Sequence, residues 1–248
     1  MNLMKKTANL ATYPAREESL KQMLESIRGQ FDLVRIIMNQ TKKEDCPKWL
    51  LTEYDNVECW FNKKDFKDNG KFVPLDFING QTMSFDEAET IKPQHEFYFC
   101  LDDDIIYPPD YVDNFIIQLI QYRCILSYHG RQLIGEGRSY YKGHRVLNYL
   151  FDVPRDEMVD VCGTGVMAFD TRYFHPKGLA DAKDQKMADL IFALEAAKQG
   201  KQIGVLSHSK RYFTEIDNKQ KISVDESRRG GKRQMEIADE IFRLRHSE

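Results

Sequence analysis

No run of about 18 apolar residues occurs anywhere in the 248-residue chain, which leaves no membrane-spanning segment to expect. Cysteine is scarce and unpatterned. The five residues Cys46, Cys59, Cys100, Cys124 and Cys162 are odd in number and lack CxxC spacing, which argues for reduced, structural thiols and against a disulfide framework or a zinc site. Neither sign of charge dominates. A net charge of −3 gives no general attraction to nucleic acid or to an anionic membrane, although Arg228, Arg229, Lys232 and Arg233 form a local basic cluster. Internal repeats and low-complexity tracts are absent. Met1–Lys6 leads into only a short apolar stretch without a cleavage signature, so a cytoplasmic location is the expectation. What remains is a chain with 42% hydrophobic and 30% charged residues, the composition of a globular protein with a substantial core.

Along the chain, strand and helix signals alternate. Lys6–Tyr13 reads as a strand, and Glu17–Gly29 as a helix carrying Leu20, Met23, Leu24 and Ile27 at helical spacing. Val34–Asn39 is a second strand, Pro47–Tyr54 a short helix and Val57–Asn62 a third strand. This order predicts a parallel sheet with right-handed crossovers. Residues 62–71 form a polar loop in which Gly70 permits a close backbone approach or positive φ, and residues 72–90 read as partly helical. A helix is expected over Asp110–Arg123, with Val112, Phe115, Ile116, Leu119 and Ile120 as its apolar stripe. Cys124–Tyr128 follows as a strand. From Gly130 to Glu157 the periodicity fails and glycines alternate with Arg131, Arg138, Tyr140, Tyr141, His144 and Arg145. That segment is a substrate-facing excursion or a plain surface loop. Val159–Phe169 resumes strand character, interrupted by Gly163-Thr164-Gly165. Gln185–Gln199 is a helix with Met187, Leu190, Ile191, Leu194 and Ala197 inward, Ile203–Leu206 a last strand, and 234–244 a final amphipathic helix.

The focus of the chain is His95–Pro108. An aromatic and aliphatic strand runs into Asp102-Asp103-Asp104, and three adjacent carboxylates at a buried strand end repel one another unless a counter-charge is present. A divalent cation with hard oxygen ligands supplies one; strand termination and helix capping are the competing reading.

Four features together resemble a GT-A fold glycosyltransferase of the family-2-like kind over roughly residues 6–210. They are the turn Ala11-Thr12-Tyr13-Pro14-Ala15-Arg16-Glu17 after the first strand, the DxD-like Leu101-Asp102-Asp103-Asp104, the glycine-containing strand at Gly163-Thr164-Gly165, and Met187-Ala188-Asp189-Leu190 at a helix start. The resemblance implies an α/β fold, the Rossmann-like nucleotide-diphospho-sugar transferase architecture with a mixed, mainly parallel central sheet flanked by helices. It implies one catalytic domain over residues 1–210, a donor-nucleotide half to about 107 and an acceptor half from 108, then a C-terminal arm and helix over 211–248. It further implies transfer of one sugar from a nucleotide-diphosphate donor to an acceptor hydroxyl, inverting, with Asp189 as general base. Mn²⁺ or Mg²⁺ would sit on Asp104 and Asp102, with Asp103 turned away into the structure. His208 would be a third metal ligand, or simply a histidine at a strand end. Thr12, Tyr13, Arg16, Asn39, Asp68 and Lys71 would meet the nucleotide and phosphates. Arg228, Arg229 and Lys232 would close over the diphosphate, or form a solvated face.

Departures narrow the resemblance. The acidic pair before the catalytic helix is reduced to Asp189, and the QxxRW element of processive enzymes is absent. A sugar-phosphate nucleotidyltransferase would carry a glycine-rich basic signature after the first strand, which Tyr13-Pro14-Ala15-Arg16 lacks. A non-catalytic sugar-nucleotide-binding domain is the remaining alternative. The acceptor, whether glycan, lipid-linked glycan, protein or modified DNA base, is not readable from sequence.

Overall fold

The computed structural model describes residues 4–78, 95–217 and 231–246. Its centre is an eight-stranded mixed, mainly parallel sheet built from β1 (Lys5–Thr12), β2 (Leu33–Asn39), β3 (Val57–Asn62), β4 (Glu96–Leu101), β6 (Ile125–Ser127), β9 (Glu157–Val159), β11 (Val166–Asp170) and β12 (Ile203–Val205). The strand order is β3-β2-β1-β4-β11-β6-β12-β9. The first four strands are mutually parallel, and β11 runs antiparallel to β4.

Side-chain alternation divides the core in two. On β4, Phe97, Phe99 and Leu101 face α1 (Glu17–Ser26) and α4 (Tyr111–Tyr122), where Phe115 and Leu24 meet them. Tyr98 and Cys100 face the opposite layer, formed by α5 (Ala188–Lys198) and α6 (Gly231–His246). Burial on both faces explains why β4 reads as an unbroken apolar run. The expected stripe of α4 stops short of Ile120, which is 59% exposed. In α5 the fully buried residues are Ala188, Leu190, Phe192, Ala193, Ala196 and Ala197, while Ile191 and Leu194 are only partly covered. The difference arises because α6 packs on α5 from outside, so no single stripe defines its inner face.

The 130–157 segment is not one long loop. It contains β7 (Gly130–Gln132) and β8 (Arg145–Leu147), which join β10 (Val161–Cys162) in a small antiparallel sheet ordered β10-β7-β8. Three-residue strands leave no period to detect in the sequence. Of the stretch expected to be partly helical, Val73–Ile78 is a helix and residues 79–94 lie outside the described residues. A further short pair links β5 (Ile105–Ile106) to β13 (Thr214–Glu215).

Candidate functional site

Sheet topology fixes where a ligand can bind. From β1 the chain crosses to β2 and β3 on one side, whereas β4 lies on the other. Strand order therefore reverses between β1 and β4, and in such sheets the crevice beyond the carboxyl ends at the reversal is the ligand site. Thr12 ends β1, and Asp102 directly follows β4.

Strand alternation stops at Leu101, and Asp103 and Asp104 lie in a turn. As a result the three aspartates do not simply point to alternate sides. Asp103 is buried, accepting from the Thr12 hydroxyl at 2.6 Å and from Arg16 Nη1 at 2.6 Å. The same Arg16 nitrogen reaches Asp104 Oδ2 at 2.9 Å. Asp102 turns instead to Lys71, which is buried and donates to its Oδ1. Burial alone would lower the Lys71 pKa, but the Asp102 carboxylate more than offsets it, and the ammonium is held charged.

Lys71 reaches this place because the turn Lys67–Phe72 lies flat across the end of β1. A Cβ on Gly70 would stand 2.7 Å from the Ala11 Cβ, so the close approach depends on glycine. Asn39 pins the turn, accepting from Phe66 N–H at 3.2 Å and donating to Lys67 O at 3.0 Å. Both ends of its amide are thus engaged with the backbone. Thr12 is likewise committed to Asp103.

Asp102 is also held from the β11 side. Its N–H donates to the Tyr107 hydroxyl at 2.9 Å, which in turn donates to Gly165 O at 2.6 Å. A Cβ built on Gly165 would run into the Asp102 carboxylate, so the second glycine of Gly163-Thr164-Gly165 makes room for that side chain. Thr164 donates from both its N–H and its hydroxyl to Asp189 Oδ1, each at 2.8 Å. Asp189 lies in the first turn of α5, and its Oδ2 has no hydrogen bond among the described residues. Asp68 Oδ2 accepts from Ala188 N–H at 3.2 Å, which ties the Lys67–Phe72 turn to the start of α5. Asp68 Oδ1 is buried without a partner. Burial raises the Asp68 pKa against the pull of Lys71 and the Ala188 N–H.

The electrostatics of this cluster are unbalanced. Three carboxylates from the aspartate run face two cations, Arg16 and Lys71, with Asp68 and Asp189 close by. Burial first, then the charges of Asp102 and Asp103, push Asp104 up to about 6, although Arg16 pulls it down. The side chains of Asp102 and Asp104 are 42% and 28% exposed, so both open toward the crevice. Such a pair suits Mg²⁺ or Mn²⁺. Ions of this kind take one or two carboxylates and complete their shell with water and phosphate oxygens, so no all-protein cage is needed. Consistent with that, no group of three His, Cys, Asp or Glu side chains converges as a cage among the described residues. The residues present fit a divalent ion.

His208 is not brought to the aspartates. It pairs with Val153 in an isolated bridge, its Nδ1 lies 2.8 Å from Leu206 O, and its ring packs on Tyr128 and Phe213. Tyr13 does join the site, accepting from Arg16 Nε at 3.2 Å, with the guanidinium 5.5 Å from its ring centroid. Arg228 and Arg229 lie outside the described residues, and Lys232 is an exposed partner of Glu236.

Sequence reasoning missed His129. It sits between β6 and β7 and packs so closely on Gly163 that a Cβ there would stand 2.7 Å from its ring. Burial lowers its pKa to about 4; Asp189 opposes this while Arg131 and His208 add to it, and Asp102 also acts on the ring. His129 thus lies against Gly163, next to the Thr164 that holds Asp189, and burial keeps it neutral at physiological pH. A lone histidine after a short strand carries no sequence signal; only the fold shows its neighbours.

No protein-family model matches the chain, and no curated protein does. Among solved structures the chain is similar to S. aureus TarS 1-349, with a TM-score of 0.51 and 15% identity, over 86% of this chain. The match spans 60% of that solved chain. At this identity the likeness shows the fold. The chain has a GT-A-like α/β fold, with a large, mainly parallel central sheet flanked by helices.

Proposed function

We propose that this protein is a metal-dependent glycosyltransferase that moves one sugar from a nucleotide-diphosphate donor to an acceptor hydroxyl. The observation that carries this reading is the surplus of carboxylate at the switch point between β1 and β4, where Asp102 and Asp104 open to the crevice and Asp104 is short of positive charge. A divalent ion held there would supply Lewis-acid neutralisation of the departing diphosphate. Arg16 borders the same crevice and would face the phosphates, with Tyr13 offering its ring to the base. The unpartnered Asp68 Oδ1 is free to accept an N–H from the donor.

On the acceptor side, Asp189 is the proposed general base. Thr164 fixes its Oδ1, which leaves Oδ2 to take the proton from the acceptor hydroxyl as that oxygen attacks the anomeric carbon. Attack from the side opposite the leaving diphosphate makes this a single displacement with inversion. The GT-A-like fold and the reversal of strand order between β1 and β4 support the reading, since a donor would bind in the crevice at the ends of those strands.

The test is a screen of nucleotide sugars for release of nucleoside diphosphate, with Mn²⁺ and with a chelator. Turnover of at least one donor is expected with Mn²⁺ and not with chelator. Absence of turnover for every donor, or turnover indifferent to chelation, would contradict the proposal.

A further inference from the structure

Arg131 on β7 is a half-buried cation with no counter-ion among the described residues. Its guanidinium lies over the rings of Tyr140 and Tyr141, 4.6 and 5.6 Å from their centroids. Its Nη1 is buried and has no hydrogen-bond partner, and among the described residues no carboxylate forms an ion pair with it. Arg16, half-buried like Arg131, and the buried Arg35 are each matched to acids: Asp103 and Asp104 for the first, Glu96 for the second. Across β10, Arg245 repeats the pattern, with Nε and Nη2 buried and unpartnered. The acid nearest to serving both, Asp160, is already taken by His246 at 3.0 Å and by Leu133 N–H at 2.7 Å.

Arg131 lies close to the proposed base. It pairs with Val161 on β10, three residues before Thr164, whose N–H and hydroxyl hold Asp189, and His129, two residues ahead of it, packs on Gly163. Tyr141 remains 43% exposed beside Arg131 and presents a face on which a sugar ring could stack. A neutral glycan would leave the guanidinium unmatched, and an unpaired charge at a shielded site is costly. A phosphate or carboxylate would meet its planar fork with charge-assisted hydrogen bonds.

Building on the proposed glycosyl transfer, we infer that the acceptor bears an anionic group, a phosphate or a carboxylate, and that Arg131 anchors it beside Asp189. Arg145, another arginine of this segment, is spent on Glu157 and Gln132.

The experiment supplies the donor returned by the screen to the wild type, Arg131→Gln and Arg131→Lys. Methyl glucoside, glucuronate and glucose 6-phosphate serve as acceptors, and product formation is read apart from donor hydrolysis. A charge-assisted contact predicts that at least one anionic acceptor exceeds methyl glucoside in kcat/KM by about tenfold or more. The two anionic arms tell carboxylate from phosphate. Arg131→Gln should bring the ratio near one, while Arg131→Lys, which keeps the charge but not the fork, retains part of it. Equal use of methyl glucoside, an unchanged ratio in Arg131→Gln, or donor hydrolysis with no transfer to either anion would overturn the inference. Failure of the wild type to hydrolyse any donor would instead remove the proposed function on which it rests.

Discussion

Arg16 offers one nitrogen to two carboxylates, Asp103 and Asp104, and the shared cation leaves Asp104 undercompensated. A carboxyl whose folded pKa is raised binds its proton more readily in the folded chain. Its stabilising contribution is full below the unfolded value near 4 and is lost as pH rises through about 6. Asp104→Asn removes that penalty. In the absence of divalent metal it should stabilise the protein at pH 7.5 by roughly 1–2 kcal/mol after solvent screening. The gain should vanish below pH 4, as thermal melts across this range would record. A variant less stable than wild type at pH 7.5 would show that Asp104 is already balanced. At this scale the sequence pointed to Asp102, Asp104, Arg16, Lys71 and Tyr13 as neighbours because aspartate runs and turn motifs are visible locally. It could not show that Asn39 and Thr12 engage the scaffold, or that His129 packs on Gly163 beside the Thr164 that holds Asp189, since those facts depend on which strands become adjacent.

Elements position these residues, and β1, β2 and β4 are bolted together at the end away from the crevice. Arg35 on β2 reaches across β1 to Glu96 on β4 with bonds of 2.8 and 3.1 Å, and it also meets Asn9 at 3.2 Å. Both charges are buried. Removing one partner strands the other, so Glu96→Gln should cost about 3 kcal/mol or more, read as a lower denaturant midpoint. A shift below about 0.5 kcal/mol would mean that the pair contributes little beyond a neutral contact. β1 to β4 were legible because strands of six to eight residues are long enough to show strand character. The three-residue strands β7, β8 and β9 were not, and neither was the packing of α6 on α5, which shifts the buried face of α5 to Phe192, Ala193, Ala196 and Ala197 and leaves Ile191 and Leu194 partly covered.

On the scale of the whole molecule, the reversal of strand order between β1 and β4 joins the two halves of the chemistry. One side brings the Lys67–Phe72 turn and Arg16 to the aspartates. The other brings Gly165 against Asp102 and Thr164 against Asp189. The proposed donor crevice and the proposed base are therefore joined by a single stretch, Gly163-Thr164-Gly165, that touches both. The central claim is that a divalent ion on Asp102 and Asp104 grips the diphosphate of the donor. Titration calorimetry of a nucleoside diphosphate into wild type and Asp104→Asn, each with and without Mn²⁺, tests it most directly. Binding should require Mn²⁺ in the wild type and weaken by at least about tenfold in Asp104→Asn, a loss of ~1.4 kcal/mol. Equal affinity with and without Mn²⁺, or an undiminished Mn²⁺-dependent affinity in Asp104→Asn, would contradict it.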